Sequence, residues 1–99
     1  MATLLKVDAP PEEVLPAGAT FTLQEIYRLV GCTTFEAVWL TAIGQVMLVD
    51  EEGKLARHDR PEPKPENVLA TELAHWQRAI PRWDYIAGAA LVCNRGEVE

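Results

Sequence analysis

Short apolar runs, separated by turn residues, set the pattern of the chain. TLLKV, residues 3–7, is rich in strand formers. DAPPEE, residues 8–13, follows as a turn, because its prolines donate nothing to a ladder and its acids stay in water. Glu13, Val14 and Leu15 return as a short antiparallel strand, closed by Pro16 and Gly18. The spacing then changes to that of a helix. Thr22 is placed to cap it, and Glu25 three residues on completes a capping box. Phe21 stands where a hydrophobic staple to Ile26 forms; Leu23, Ile26, Tyr27 and Val30 share one face, and Gly31 suits the left-handed end.

TFEAVWLT, residues 34–41, reads as a strand with Phe35, Ala37 and Trp39 on one face and Val38 and Leu40 on the other. Apolar groups on both faces predict a central position. QVMLV, residues 45–49, pairs with it as a hairpin. Asp50, Glu51, Glu52 and Gly53 then make a turn. Asp50 opens it, and Gly53 with positive φ lets the chain re-enter a third strand at Lys54, Leu55 and Ala56. RPEPKPEN, residues 60–67, is an extended connector, with a proline-rich ligand for an SH3-like partner as its sharper alternative. A second helix starts near Glu66 or Asn67. Leu69, Leu73, Trp76 and Ile80 form its apolar stripe and Pro81 ends it. AALVC, residues 89–93, is a final buried strand.

The expected order is strand, strand, helix, three strands, helix, strand. That is an α+β fold: one domain over residues 1–99, with a mostly antiparallel sheet and both amphipathic helices packed on one face.

Composition narrows the function classes. The net charge is −6, with acids scattered along the chain, which argues against direct nucleic-acid binding. No apolar run approaches the roughly eighteen residues of a membrane span, and the start lacks a signal-peptide pattern. The expected setting is therefore cytoplasmic. Cys32 and Cys93 stand alone, without a CxxC, and read as reduced thiols, a Cys32–Cys93 disulfide being the alternative. The chain has no serine, so serine nucleophiles and the GxSxG elbow are excluded. There is no phosphate-binding glycine motif. His58 and His75 lack zinc-ligand spacing. The consecutive acids Asp50, Glu51 and Glu52 diverge, unlike the alternating ligands of a calcium loop. Neither a cofactor nor a metal is expected.

Three tryptophans remain. Trp39 and Trp76 lie on apolar faces and are expected in the core. Trp83, in a loop beside Arg82, is expected to be exposed. Trp83, Arg82 and Arg78 make a candidate partner-binding group, since Trp and Arg carry much of the energy of protein interfaces. The locally basic stretch Lys54, Arg57, His58, Arg60 and Lys64 is a candidate for holding a phosphate-bearing small ligand.

In order along the chain come TLLKVD, EEVLPAG, FTLQEIYRLVG, FEAVWL, LVDEEGKL, Asn67 with LATELA, and DYIAGAALVCN. This series resembles a family of small uncharacterised proteins, a domain of unknown function common in phages, plasmids and other bacterial mobile elements. Asp50, Glu51, Gly53, Asn67, Thr71, Asp84 and Gly88 match its polar and glycine positions. Cys32 stands where the family usually has a second glycine, and the loop from His58 to Glu66 is longer and richer in proline than usual. The resemblance implies a bacterial host cell and a small accessory role.

Three readings follow. The first is a non-enzymatic accessory protein that binds a host or defence-system macromolecule. The second is a small-ligand binder for a nucleotide-like molecule. The third is a metal-dependent hydrolase built on Asp50, Glu51, Glu52 and His58. A protein partner is the expected one, and exposed edge strands leave room for a homodimer.

Overall fold

The computed structural model describes residues 2–98. Its five strands are β1 (Ala2–Leu5), β2 (Glu12–Val14), β3 (Phe35–Leu40), β4 (Gln45–Asp50) and β5 (Ala90–Asn94); its helices are α1 (Leu23–Val30) and α2 (Val68–Trp76). The sheet order is β2-β1-β5-β4-β3 and every pairing is antiparallel. The α+β class, the antiparallel sheet and the β3–β4 hairpin match the sequence expectations.

The start of α1 follows its local chemistry. Thr22 accepts from the Glu25 N–H at 3.2 Å, and the Glu25 carboxylate accepts the Thr22 N–H at 2.9 Å. A cap of this kind stabilises by about 1 kcal/mol. Gly31 closes the helix at φ 74°, with its N–H on the Tyr27 carbonyl.

The helices do not share a face of the sheet, and this corrects the expectation. Ile26 and Val30 of α1 pack with Leu4, Val46, Leu48, Leu91 and Cys93. Ala70 and Ala74 of α2 pack with Leu5, Met47, Val49, Ala90 and Val92. Side chains alternate across a strand, and β4 and β5 are apolar at successive positions, so each face needs its own cover. The hydrophobic core is therefore two layers, one on each side of β4 and β5.

Two further expectations fail for physical reasons. β3 is an edge strand rather than a central one; its apolar positions on both faces reflect partial cover from each side. The strand expected after Gly53 does not form. The Gly53 N–H bonds to the Asp50 carbonyl at 3.1 Å and the Leu55 N–H to the Glu52 carbonyl at 3.1 Å, so the chain keeps turning. Gly53 is needed for close approach, not for positive φ: a Cβ there would lie 3.0 Å from the Ala87 carbonyl oxygen. Only a single bridge between Arg57 and Arg60 follows.

Candidate functional site: the outward face of α2

Asn67 sets the position of α2. Its side chain is buried. It accepts the Ala70 N–H at 3.0 Å, and its amide donates to the Leu5 and Gly88 carbonyls at 2.9 Å each. Thr71, also buried, accepts the Ile86 N–H at 2.9 Å through its hydroxyl. With these two anchors in place, Ala70 and Ala74 face the sheet with no exposed surface. The helix covers this face of the sheet with small side chains.

That rotation turns the expected apolar stripe outward. Leu69 is 45% exposed and Trp76 is 83% exposed, where both were expected in the core. Only Leu73 and Ile80 of the stripe pack in part against the core. The helix stops at Trp76, before Pro81, because Arg78 takes φ 55° and the Ala79 N–H bonds to the Ala74 carbonyl. Trp83 is 83% exposed, as the sequence suggested. Trp39, also expected in the core, is half-exposed on the β3 edge, with the Arg95 guanidinium 5.2 Å from its ring centre.

Glu72, His75, Trp76, Arg78, Ile80 and Arg82 line an open groove of about 840 Å³. Two of the three candidate partner-binding residues, Arg78 and Arg82, are therefore on its wall; Trp83 lies just outside it. Beside the groove runs a fixed loop, whose Lys54, Asp84 and Tyr85 line a separate pocket of about 310 Å³. His75 donates through Nε2 to the Asp84 carbonyl at 2.8 Å, and the Asp84 carboxylate accepts the Tyr85 N–H at 2.8 Å. Lys54 bonds to the same carboxylate and lies 4.7 Å above the Tyr85 ring. The Lys54 and Tyr85 hydrogen bonds hold the Asp84 carboxyl below the ordinary aspartate range.

The guanidinium groups of Arg78 and Arg82 make no ion pair, hydrogen bond or ring contact among the described residues. The basic stretch of 54–64 behaves differently. Arg57 pairs with Glu52 and Asp59 at 3.2 Å each. Arg60 donates to the Glu62 and Glu52 carbonyls at 2.8 and 3.2 Å. Lys64 donates to the Gly31 carbonyl at 2.7 Å, capping the end of α1, and its ammonium lies 2.9 Å from Asp50 Oδ2 as an ion pair without hydrogen-bond alignment. Arg57, Arg60 and Lys64 do share an open pocket of about 500 Å³ with Tyr27, Cys32 and Asp50. Lys54 is elsewhere, on Asp84, and His58 is exposed in the loop.

The acids of the 50s separate. Asp50 is buried, with Oδ1 accepting the Glu52 N–H at 2.9 Å, while Glu51 points to solvent. Among the described residues no three His, Cys, Asp or Glu side chains come together as a metal site. Both thiols are free and buried. Burial, then Asp50, raises the Cys32 thiol; burial, then Glu97, pushes Cys93 up to about 11. Neither is poised as a thiolate nucleophile.

A family profile covers residues 3–99. The chain belongs to DUF3846, a domain of unknown function. No curated protein and no solved structure matches it. The family residues noted in the sequence divide by role in this DUF3846 chain. Asp50, Gly53, Asn67, Thr71 and Gly88 hold backbone and loops together; Gly88 leaves room for the Lys64 stem, whose Cδ would be 2.5 Å from a Cβ there. Asp84 fixes the loop that follows α2, through the Tyr85 N–H and the His75 ring. Among the described residues no helix is long and apolar enough to cross a membrane.

Sequence reasoning missed Trp76 and Leu69. Helical spacing shows that large apolar residues share a face. It does not show whether that face or the alanine face meets the sheet. The signal available was the pair Asn67 and Thr71, polar groups on the alanine side that can bond to backbone once buried.

Proposed function

We propose that this protein is a non-enzymatic binding module that engages a protein partner through Trp76, Arg78, Ile80, Arg82 and Trp83. The carrying observation is the surface formed by the end of α2 and the loop after it: two tryptophans at 83% exposure, with two guanidinium groups that have no partner among the described residues. Large rigid aromatics and arginines are the residues that give most at a desolvated interface. Arg78 adds to this, because a side chain with a Cβ sits there in the left-handed region, where glycine is the comfortable residue. The resemblance to phage and plasmid proteins supports an accessory role, with a host or defence-system macromolecule in the bacterial cytoplasm as the partner.

The test is retention from host lysate on immobilised protein, wild type against the Trp76→Ala/Trp83→Ala double variant. A defined partner is expected on the wild type and absent from the variant. Equal retention by both would refute the assignment of this surface.

A second reading rests on the pocket around Asp50. Arg57, Arg60 and Lys64 gather there as the small-ligand alternative requires. Their charges are already spent on Glu52, Asp59, Asp50 and carbonyl groups, so a phosphate would have to displace those bonds. Calorimetry with a nucleotide panel separates the two readings.

A further inference from the structure

The two edges of the sheet are built differently. At one edge, β2 has only three residues, carries Glu12 and Glu13, and lies between Pro10–Pro11 and Pro16. Short length, charge and proline are the usual guards against strand addition. At the other edge, β3 has six residues, no proline and no lysine, and it pairs with β4 without a bulge from Phe35 to Leu40. Among the described residues no strand pairs with its outer backbone groups. Its only charge is Glu36. Beside it, Phe35, Ala37, Trp39, Val46, Leu48 and Val98 line a mostly apolar hollow of about 260 Å³, with the Arg95 guanidinium at its rim over Trp39.

We propose that β3 pairs antiparallel with β3 of a second copy of this chain, making a two-fold dimer with one continuous ten-stranded sheet (twice the five strands of one copy). An unpaired ladder is a template for another extended chain, and this strand is its own complement. Opposed residues in an antiparallel pair share a face, so the axis falls on a residue. With the axis at Ala37, Phe35 of one copy stands opposite Trp39 of the other, twice. The small Ala37 meets itself between these aromatic pairs. Aromatic cross-strand pairs of this kind stabilise sheets. On the other face Glu36 stands opposite Val38, so no like charges are directly opposed. An axis at Glu36 would set carboxylate against carboxylate. An axis at Val38 would lose the Phe35–Trp39 match. The inference is independent of the α2 surface. A dimer would present that surface twice and bind a multivalent partner more tightly.

The test is sedimentation of the full chain across concentrations, with two variants. Wild type is expected at twice the monomer mass. Ala37→Arg, which sets two cations against each other at the axis, is expected to sediment as a folded monomer. Ala37→Cys is expected to give a reducible covalent dimer with oxidised glutathione, because directly opposed Cα atoms lie within the roughly 4.4–6.8 Å that a disulfide spans. Wild type, whose own thiols are buried, serves as the uncross-linked control. A wild-type monomer at every concentration would overturn the proposal. So would a dimer in which Ala37→Cys fails to cross-link.

Discussion

Replacing Arg78 with glycine is expected to stabilise the protein while weakening partner binding. Arg78 follows α2 at φ 55°, the position where helices commonly end on glycine. A residue with a Cβ loses about 1–2 kcal/mol in that region. Glycine avoids this loss but gives back about 0.4–1 kcal/mol through its freer unfolded chain. The guanidinium makes no bond among the described residues, so its removal costs the fold nothing further. The net gain is about 1 kcal/mol, a rise in Tm of about 4–8 °C for a domain of this size. Thermal unfolding of Arg78→Gly against Arg78→Ala isolates the backbone effect, since alanine removes the guanidinium and keeps the Cβ. A glycine variant no more stable than the alanine variant would refute the idea that Arg78 is held against its backbone preference. Both variants are expected to lose partner retention alike, because binding depends on the side chain.

Three other perturbations probe the supports of that surface. Ala74→Leu crowds the close contact between α2 and the sheet and is expected to cost about 1–3 kcal/mol in urea unfolding. Lys64→Ala leaves the buried Asp50 carboxylate with only the more distant Arg60, 3.9 Å away, and is expected to cost up to about 3–5 kcal/mol, with Asp50→Asn in the same background restoring part of the loss. The Asp84 carboxyl is held below its ordinary value chiefly by Lys54, so its contribution is present above the unfolded-state pKa and is lost as pH falls through the lower folded-state pKa. Asp84→Asn is expected to flatten that acid limb in a pH series of unfolding midpoints, and an unchanged limb would contradict the assignment.

The parts of the fold legible in the sequence were those decided by neighbours along the chain. Thr22, Glu25 and Gly31 start and stop α1 by local hydrogen bonds. The turn at Asp50 forms through its own carboxylate, and Ala42 to Gly44 joins the two strands of the hairpin. What could not be read was decided across the sheet. Val46, Met47, Leu48 and Val49 alternate between two apolar faces, and nothing in their order says which helix covers which face. On α2, leucine and tryptophan at helical spacing look like a core stripe. The buried face is instead made of the small residues Ala70, Thr71 and Ala74. The candidate pair Arg78 and Arg82 was visible as residue types; their lack of internal partners was visible only after Arg57, Arg60 and Lys64 had found theirs.

The most direct measurement is the unfolding free energy of the Trp76→Ala/Trp83→Ala double variant. Side chains that face water and belong to a partner's interface leave the isolated fold almost unchanged when truncated, within about 0.5 kcal/mol per site. A loss of about 3 kcal/mol or more for Trp76→Ala alone, the cost of emptying a packed core position, would show that α2 faces the sheet the other way round.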